Sequence, residues 1–161
     1  TMASLMTNND MIKSPPPAPD ADDGSITAEM SWRRCQIYMH HGYTLFKAST
    51  EENLKAVECF VVNGADCNMT NRDGENALHY AARYNKKDTK LIEVLLNNMS
   101  LDSINKKNRV GETPLDYAFG SNKSPIRQEI IDLLRSKGGK ANNFDENGIK
   151  KKKFRRSNMV I

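Results

Sequence analysis

The chain has 161 residues and a mass of 18.2 kDa, enough for one domain of ordinary size and too short for two full ones with linkers. With 38% hydrophobic and 27% charged residues and a mean hydropathy of -0.68, it is polar for a globular protein, yet not of wholly disordered composition. The formal charge of +4 is concentrated: from Lys140 onward seven basic residues face Asp145 and Glu146, a net +5, so the preceding 139 residues sum to -1. A near-neutral body with a basic end is unlike a nucleic-acid-binding domain, whose positive charge spreads over a folded face.

In chain order, residues 1–26 combine Pro15-Pro16-Pro17, Pro19 and the acidic Asp20, Asp22 and Asp23 with almost no aliphatic periodicity, and are expected to form a disordered arm. Residues 27–42, with Met30, Trp32, Cys35, Ile37, Tyr38 and Met39, predict an additional helix that covers the apolar segment starting at Leu45, or alternatively a partner-docking segment. Then a repeat begins. Leu45, Leu78 and Leu115 head matching segments, each with an alanine three residues on (Ala48, Ala81, Ala118), which places the pair on one helical face. A second pattern keeps a 37-residue beat: Asn68, Asn71 and Gly74 return as Asn105, Asn108 and Gly111, and again as Asn142, Asp145 and Gly148.

Behind each leucine–alanine segment lies a second apolar, helix-like one: 54–62, 91–96 and 126–134. The unit is helix, turn, helix, loop. Gly74 and Gly111 supply positive φ, and Asn71, Asp73 and Asn108 can bond their own backbone two residues on, so Arg72-Asp73-Gly74 predicts a tight turn and the loops predict hairpin-like fingers. Thr113 and Pro114 suit the cap and first position of a helix, and Ser124-Pro125 is expected to repeat that device. Gly138-Gly139 reads as a helix stop.

These segments, Gly-Glu-Thr-Pro-Leu-Asp-Tyr-Ala at 111–118, Gly-Glu-Asn-Ala-Leu-His-Tyr-Ala-Ala at 74–82 and Asn-Gly-Ala-Asp-Cys-Asn at 63–68, resemble the ankyrin repeat. The resemblance implies an all-α solenoid of about three helix-turn-helix repeats with finger loops. The domain spans 43–148, with units at 43–73, 74–110 and 111–141, an incomplete finger after them, and a disordered basic tail at 149–161. The first unit lacks the Gly-x-Thr-Pro opening, the second has extra residues around 85–89 and 99–103, and Lys150 to Lys153 stand where a fourth apolar helix would begin. His79 takes the family's usual histidine position, where the side chain resembles a hydrogen-bonding link between repeats. The Asn- and Lys-rich style and compact size also resemble short ankyrin proteins that intracellular bacterial pathogens deliver into host cells.

No chemistry of an enzyme is legible. His40, His41 and His79 lack metal-site spacing, Cys35, Cys59 and Cys67 include no C-x-x-C pair, and there is no phosphate loop or nucleophile elbow. The chain is therefore expected to be non-enzymatic, with no cofactor and no metal. No run of some 18 to 20 apolar residues and no secretory signal is present, so a cytoplasmic location is expected, of the host if it is a secreted effector; a monomer is expected as well. The expected function is binding a partner protein. The family's variable positions along the concave face fall on Thr50 and Glu51; on Arg72, Asp73, Glu75, Arg83 and Tyr84; and on Arg109, Val110, Glu112, Phe119 and Gly120. Arg72, Arg83 and Arg109 favour an acidic partner, and Tyr84 with these arginines supplies the anchors. The alternative is a tail-driven binder of nucleic acid or anionic membrane, or a nuclear-targeted adaptor, acting through Lys150, Lys151, Lys152, Lys153, Arg155 and Arg156. Asn68 lies where family members are hydroxylated by an oxygen-dependent hydroxylase.

Overall fold

The computed structural model describes residues 44–120 and 123–152. The 1–26 arm, the 27–42 helix and the tail residues Lys153, Arg155 and Arg156 lie outside the described residues. Within them the chain forms seven helices in the order α1 (Leu45–Thr50), α2 (Leu54–Val62), α3 (Ala77–Tyr84), α4 (Lys90–Asn97), α5 (Leu101–Ile104), α6 (Pro114–Gly120) and α7 (Arg127–Ser136). Among the described residues there is no strand, only an isolated antiparallel bridge between Phe144 and Lys150. The fold is an all-α solenoid.

Most helices start where a short polar side chain can satisfy an orphan amide of the first turn. The Thr44 hydroxyl accepts from Lys47 N (3.1 Å), Asn53 from Ala56 N (3.1 Å), Ser100 from Ser103 N (3.2 Å) and Thr113 from Asp116 N (3.3 Å). At α3 the arrangement is reciprocal: Asn76 accepts from His79 N while His79 Nδ1 accepts from Asn76 N at 3.1 Å. The device expected at Ser124-Pro125 is corrected. Arg127 N donates to Ser124 O at 3.2 Å, so these residues form a turn ahead of α7, which begins at Arg127 without a side-chain cap. The helix ends as expected at Gly138, whose φ of +84° lets Gly139 N reach Leu134 O (2.8 Å) and Gly138 N reach Arg135 O (2.9 Å).

The helices stand in two rows. In the inner row α1 packs on α3 and α3 on α6; in the outer row α2 packs on α4 and α4 on α7. Leu45/Ala48, Leu78/Ala81 and Leu115/Ala118 are all buried between the rows, opposite Ala56, Val57 and Phe60, then Leu91, Ile92 and Leu95, then Ile130, Ile131 and Leu134. Small inner alanines against large outer side chains allow close helix approach. The stretch around 99–103 is not plain loop: α5 takes the place that Gly64 to Cys67 occupy one unit earlier and buries Ile104.

Three fingers, two between units and one after the last, share one backbone plan. Asn71 Oδ1 accepts from Asp73 N and Glu75 N, both at 2.9 Å, and Asn71 N donates to Glu75 O at 2.8 Å. Asn108 does the same with Val110 and Glu112, and Asp145 with Asn147 and Ile149. Gly74, at φ +77°, makes the first turn possible and lies within 3.4 Å of the Asn108 backbone, measured from where a Cβ would stand, so it also lets neighbouring fingers approach. Arg109 N then donates to Asp73 O at 2.8 Å, joining the two fingertips. The last hairpin runs past residue 149, since Lys151 N donates to Asn143 O at 2.8 Å, and no helix follows among the described residues.

Candidate protein-docking face

The side of the molecule made by fingers and inner helices carries a chain of rings and polar groups that spans all three units. Phe46 meets Tyr80 edge-on at 5.8 Å, Tyr80 stacks with Tyr84 at 6.5 Å and 17°, and His79 meets Tyr117 edge-on at 5.5 Å. The spacing of four between Tyr80 and Tyr84 puts both on one face of α3. Arg83 is exposed, its guanidinium 5.1 Å from the Tyr84 ring centroid and 5.6 Å from that of Tyr117.

Glu75 is the hub beneath these rings. Its carboxylate accepts from Tyr80 Oη (2.9 Å), from Asn71 Nδ2 (3.1 Å) and, in a short bond, from Tyr117 Oη of the next unit. Burial pushes the Glu75 pKa up, but the donated bonds from Tyr117, Asn71 and Tyr80 outweigh it and hold the carboxyl below its ordinary range. Burial, with Glu75 next to the hydroxyl, raises the Tyr117 pKa, so the phenol stays a donor. Glu75 therefore preorganises Tyr80 and Tyr117 rather than standing free for a partner.

The other residues singled out in the sequence fall into two bands. At the fingertips, Arg72 and Val110 are exposed, Val110 at 67%, while Asp73 and Arg109 make an exposed ion pair at 3.7 Å. At the ends of the inner helices lie Thr50 and Glu51, Arg83 and Tyr84, and Phe119 with Gly120. Thr50 donates its hydroxyl to Phe46 O at 2.9 Å, and Tyr84 is half-buried. Phe119 is turned to the C-terminal end of the array: it stacks on Phe144 at 5.4 Å under the Arg135 guanidinium, and packs where a Cβ at Gly148 would stand 2.8 Å away. The Glu112 side chain is half-buried and its carbonyl accepts from His79 Nε2 at 3.2 Å. Lys150, Lys151 and Lys152 are exposed beside this last finger.

Asn68 is exposed, and its side chain is engaged: Oδ1 accepts from Ser100 N at 2.9 Å and Nδ2 donates to Asp66 at 3.1 Å. Residues that sequence reasoning passed over are Phe46, Asn71, Tyr80 and Tyr117. A signal was present, because Asn71 with Tyr80 recurs 37 residues later as Asn108 with Tyr117, and both pairs are bonded, at 2.9 and 3.2 Å.

A groove of about 570 Å³ at the C-terminal end is lined by Leu115, Arg135, Ala141, Phe144, Asp145 and Glu146 among others, with no histidine or cysteine. Among the described residues no three His, Cys, Asp or Glu side chains converge as a metal site, and no helix is long and apolar enough to cross a membrane. Burial, aided by Asp66, pushes the Cys67 thiol up to about 11, which makes it a packing group rather than a nucleophile.

The repeated fingers, the paired helix rows and the histidine that reaches from one unit into the next agree with a direct comparison: residues 45–145 match the family model described as ankyrin repeats, in three copies. The chain belongs to the ankyrin repeat family, whose members generally serve as protein–protein interaction modules.

Proposed function

We propose that this protein is a non-enzymatic binding module that captures a partner protein on the face formed by its fingers and inner helices. The observation that carries this reading is the Phe46–Tyr80–Tyr84 row flanked by the exposed Arg83, a combination of rigid aromatic area and a guanidinium held over a ring that suits an interface anchor. Arg72 at the first fingertip supplies a further exposed cation, whereas Arg109 shares its charge with Asp73. The partner that fits is acidic where it meets Arg72 and Arg83.

Affinity capture with the full chain from eukaryotic cell lysate, set against the Arg83→Ala, Tyr84→Ala double variant, tests the proposal. A protein retained by the first and lost by the second supports it, provided helicity is equal. Retention at wild-type strength removes this face. An effector role in a host cell belongs to the same reading and rests on sequence style.

The basic run is the source of the competing reading. Binding that falls steeply with salt and vanishes when 150–156 are deleted belongs to the tail, whereas capture through the inner face survives that deletion. Nuclear entry lost on the same deletion makes the tail an import signal.

A further inference from the structure

The composition of the proline- and aspartate-rich segment 15–23 matches one surface of the molecule closely. From Pro15 to Asp23 there are four prolines, three aspartates and no cation. On the inner face, Phe46, Tyr80 and Tyr84 form a half-buried aromatic row, and the exposed Arg83, Lys86 and Lys87 follow one another around the end of α3.

We propose that the segment 15–23 of this chain docks in cis on that row, with its prolines on the Tyr80 and Tyr84 rings and Asp20, Asp22 and Asp23 against Arg83, Lys86 and Lys87. The inference rests on the inner face being the binding face, and it makes the arm a built-in competitor of the partner.

Three physical points support this occupant. Consecutive prolines are confined to an extended helix before binding, so a row of aromatic rings takes them up at small entropic cost. The end of α3 carries an excess of cations: residues 83–88 hold Arg83, Lys86 and Lys87 against Asp88 alone, a net +2 that attracts an incoming acid. The tether also reaches, because Phe46 lies two residues beyond Thr44, where the described chain begins, and even a helix over 27–42 leaves several extended residues at about 3.3 Å each. Such a tether places the arm at an effective concentration on the order of millimolar.

The test is nuclear magnetic resonance on the ¹⁵N-labelled full chain, compared with two full-chain variants: Asp20→Asn with Asp22→Asn and Asp23→Asn, and Pro15, Pro16, Pro17 and Pro19 each →Ser. Docking in cis shifts the amide signals of Tyr80, Arg83, Tyr84 and Lys86 between wild type and both variants, independently of protein concentration and less at high salt. Superimposable spectra at these residues overturn it, as do shifts that disappear on dilution, which mean an arm from a second copy. A synthetic peptide of residues 13–26 is then titrated into the asparagine variant and the wild type. The proposal expects the variant to bind the peptide about tenfold more tightly, because the cis competitor is gone. Peptide binding of equal strength in both chains ends the cis proposal and leaves the face intact. No binding to either ends the reading of the face as well.

Discussion

The second and third repeats solve the same problem with opposite chemistry. In the second, His79 is almost fully buried; Nδ1 lies against Asn76, 3.1 Å from its N and 2.8 Å from its Oδ1, and Nε2 is 3.2 Å from Glu112 O in the next finger, a carbonyl that can only accept from it. In the third, the equivalent position is Asp116, 2% exposed, whose carboxylate accepts from Thr113 N (2.9 Å), Asn142 N (3.0 Å) and Asn143 N (2.8 Å). A neutral donor faces a carbonyl at the internal joint, and an anion faces amides at the terminal one. A repeat can thus keep its backbone plan while inverting the polarity of its connection, provided each buried group meets its complement. The same contrast anchors the last finger, behind which no helix stands among the described residues.

Forcing one solution onto the other joint is the harshest challenge to this pairing. His79→Asp would bury a carboxylate against Glu112 O, and a loss of about 4 kcal/mol is expected from denaturant unfolding; a loss under about 1 kcal/mol would show that the joint can rearrange. Asp116→Ala leaves the Asn142 and Asn143 amides without their acceptor, for a loss of about 3 kcal/mol. Amide exchange should localise that damage to the last finger and spare α3, and uniform loss of protection would contradict the assignment.

The joints should also separate by pH. Burial, the largest influence, lowers the His79 pKa despite the bond to Glu112 and the neighbouring carboxylates. A His whose folded pKa lies below its ordinary 6.5 contributes stability that is fully present above that value and is lost as pH falls below it. Stabilities measured at about pH 7.5 and about pH 5.5, on either side of the ordinary histidine pKa, should therefore differ more in wild type than in His79→Gln. Equal pH slopes in the two proteins would remove His79 as the cause. Glu75, held below its ordinary 4.5, acts only in the more acid window, since its stability is present above that value and lost as pH falls further.

Smaller effects are expected from single bonds and turns. Tyr117→Phe removes one donor to Glu75 across the joint and should cost about 1 kcal/mol, with Tyr80→Phe weakening only the bond within the repeat. Glu52, between α1 and α2, has a φ of +56°, a left-handed conformation that costs a side-chain-bearing residue roughly 1–2 kcal/mol. Glu52→Gly should raise stability by up to about 1 kcal/mol once the unfolded-state entropy of glycine is offset. A drop in the melting midpoint would show that the Glu52 side chain contributes more than its backbone strain removes.

Much of the fold was legible because it is local and repeated. Alanines three residues after leucines mark the inner helices, and Asn71-x-x-Gly74 marks a turn whose bonds all close within five residues. The α7 start at Arg127 was misplaced because Ser124-Pro125 is as suitable for a turn as for a cap, and the bond from Arg127 N to Ser124 O decided between them. At the candidate site, single-residue exposure was a poor guide. Arg83 and Tyr84 do adjoin one another, but Glu75 is bonded inward, Arg109 is paired with Asp73, and Phe119 is stacked on Phe144.

The beat of the array, the polar caps, the positive-φ turns and the point where lysines replace a fourth apolar helix are all written in the order of residues. Those features depend on side chains a few positions apart, whose steric and hydrogen-bonding preferences act wherever the segment sits. Which side chains bond from one repeat to the next was decided by packing. The bonds from His79 to Glu112, from Tyr117 to Glu75 and from Asn143 to Asp116 join residues 33, 42 and 27 positions apart. Such bonding partners are selected by the packing of one repeat on the next, which no local side-chain preference can encode.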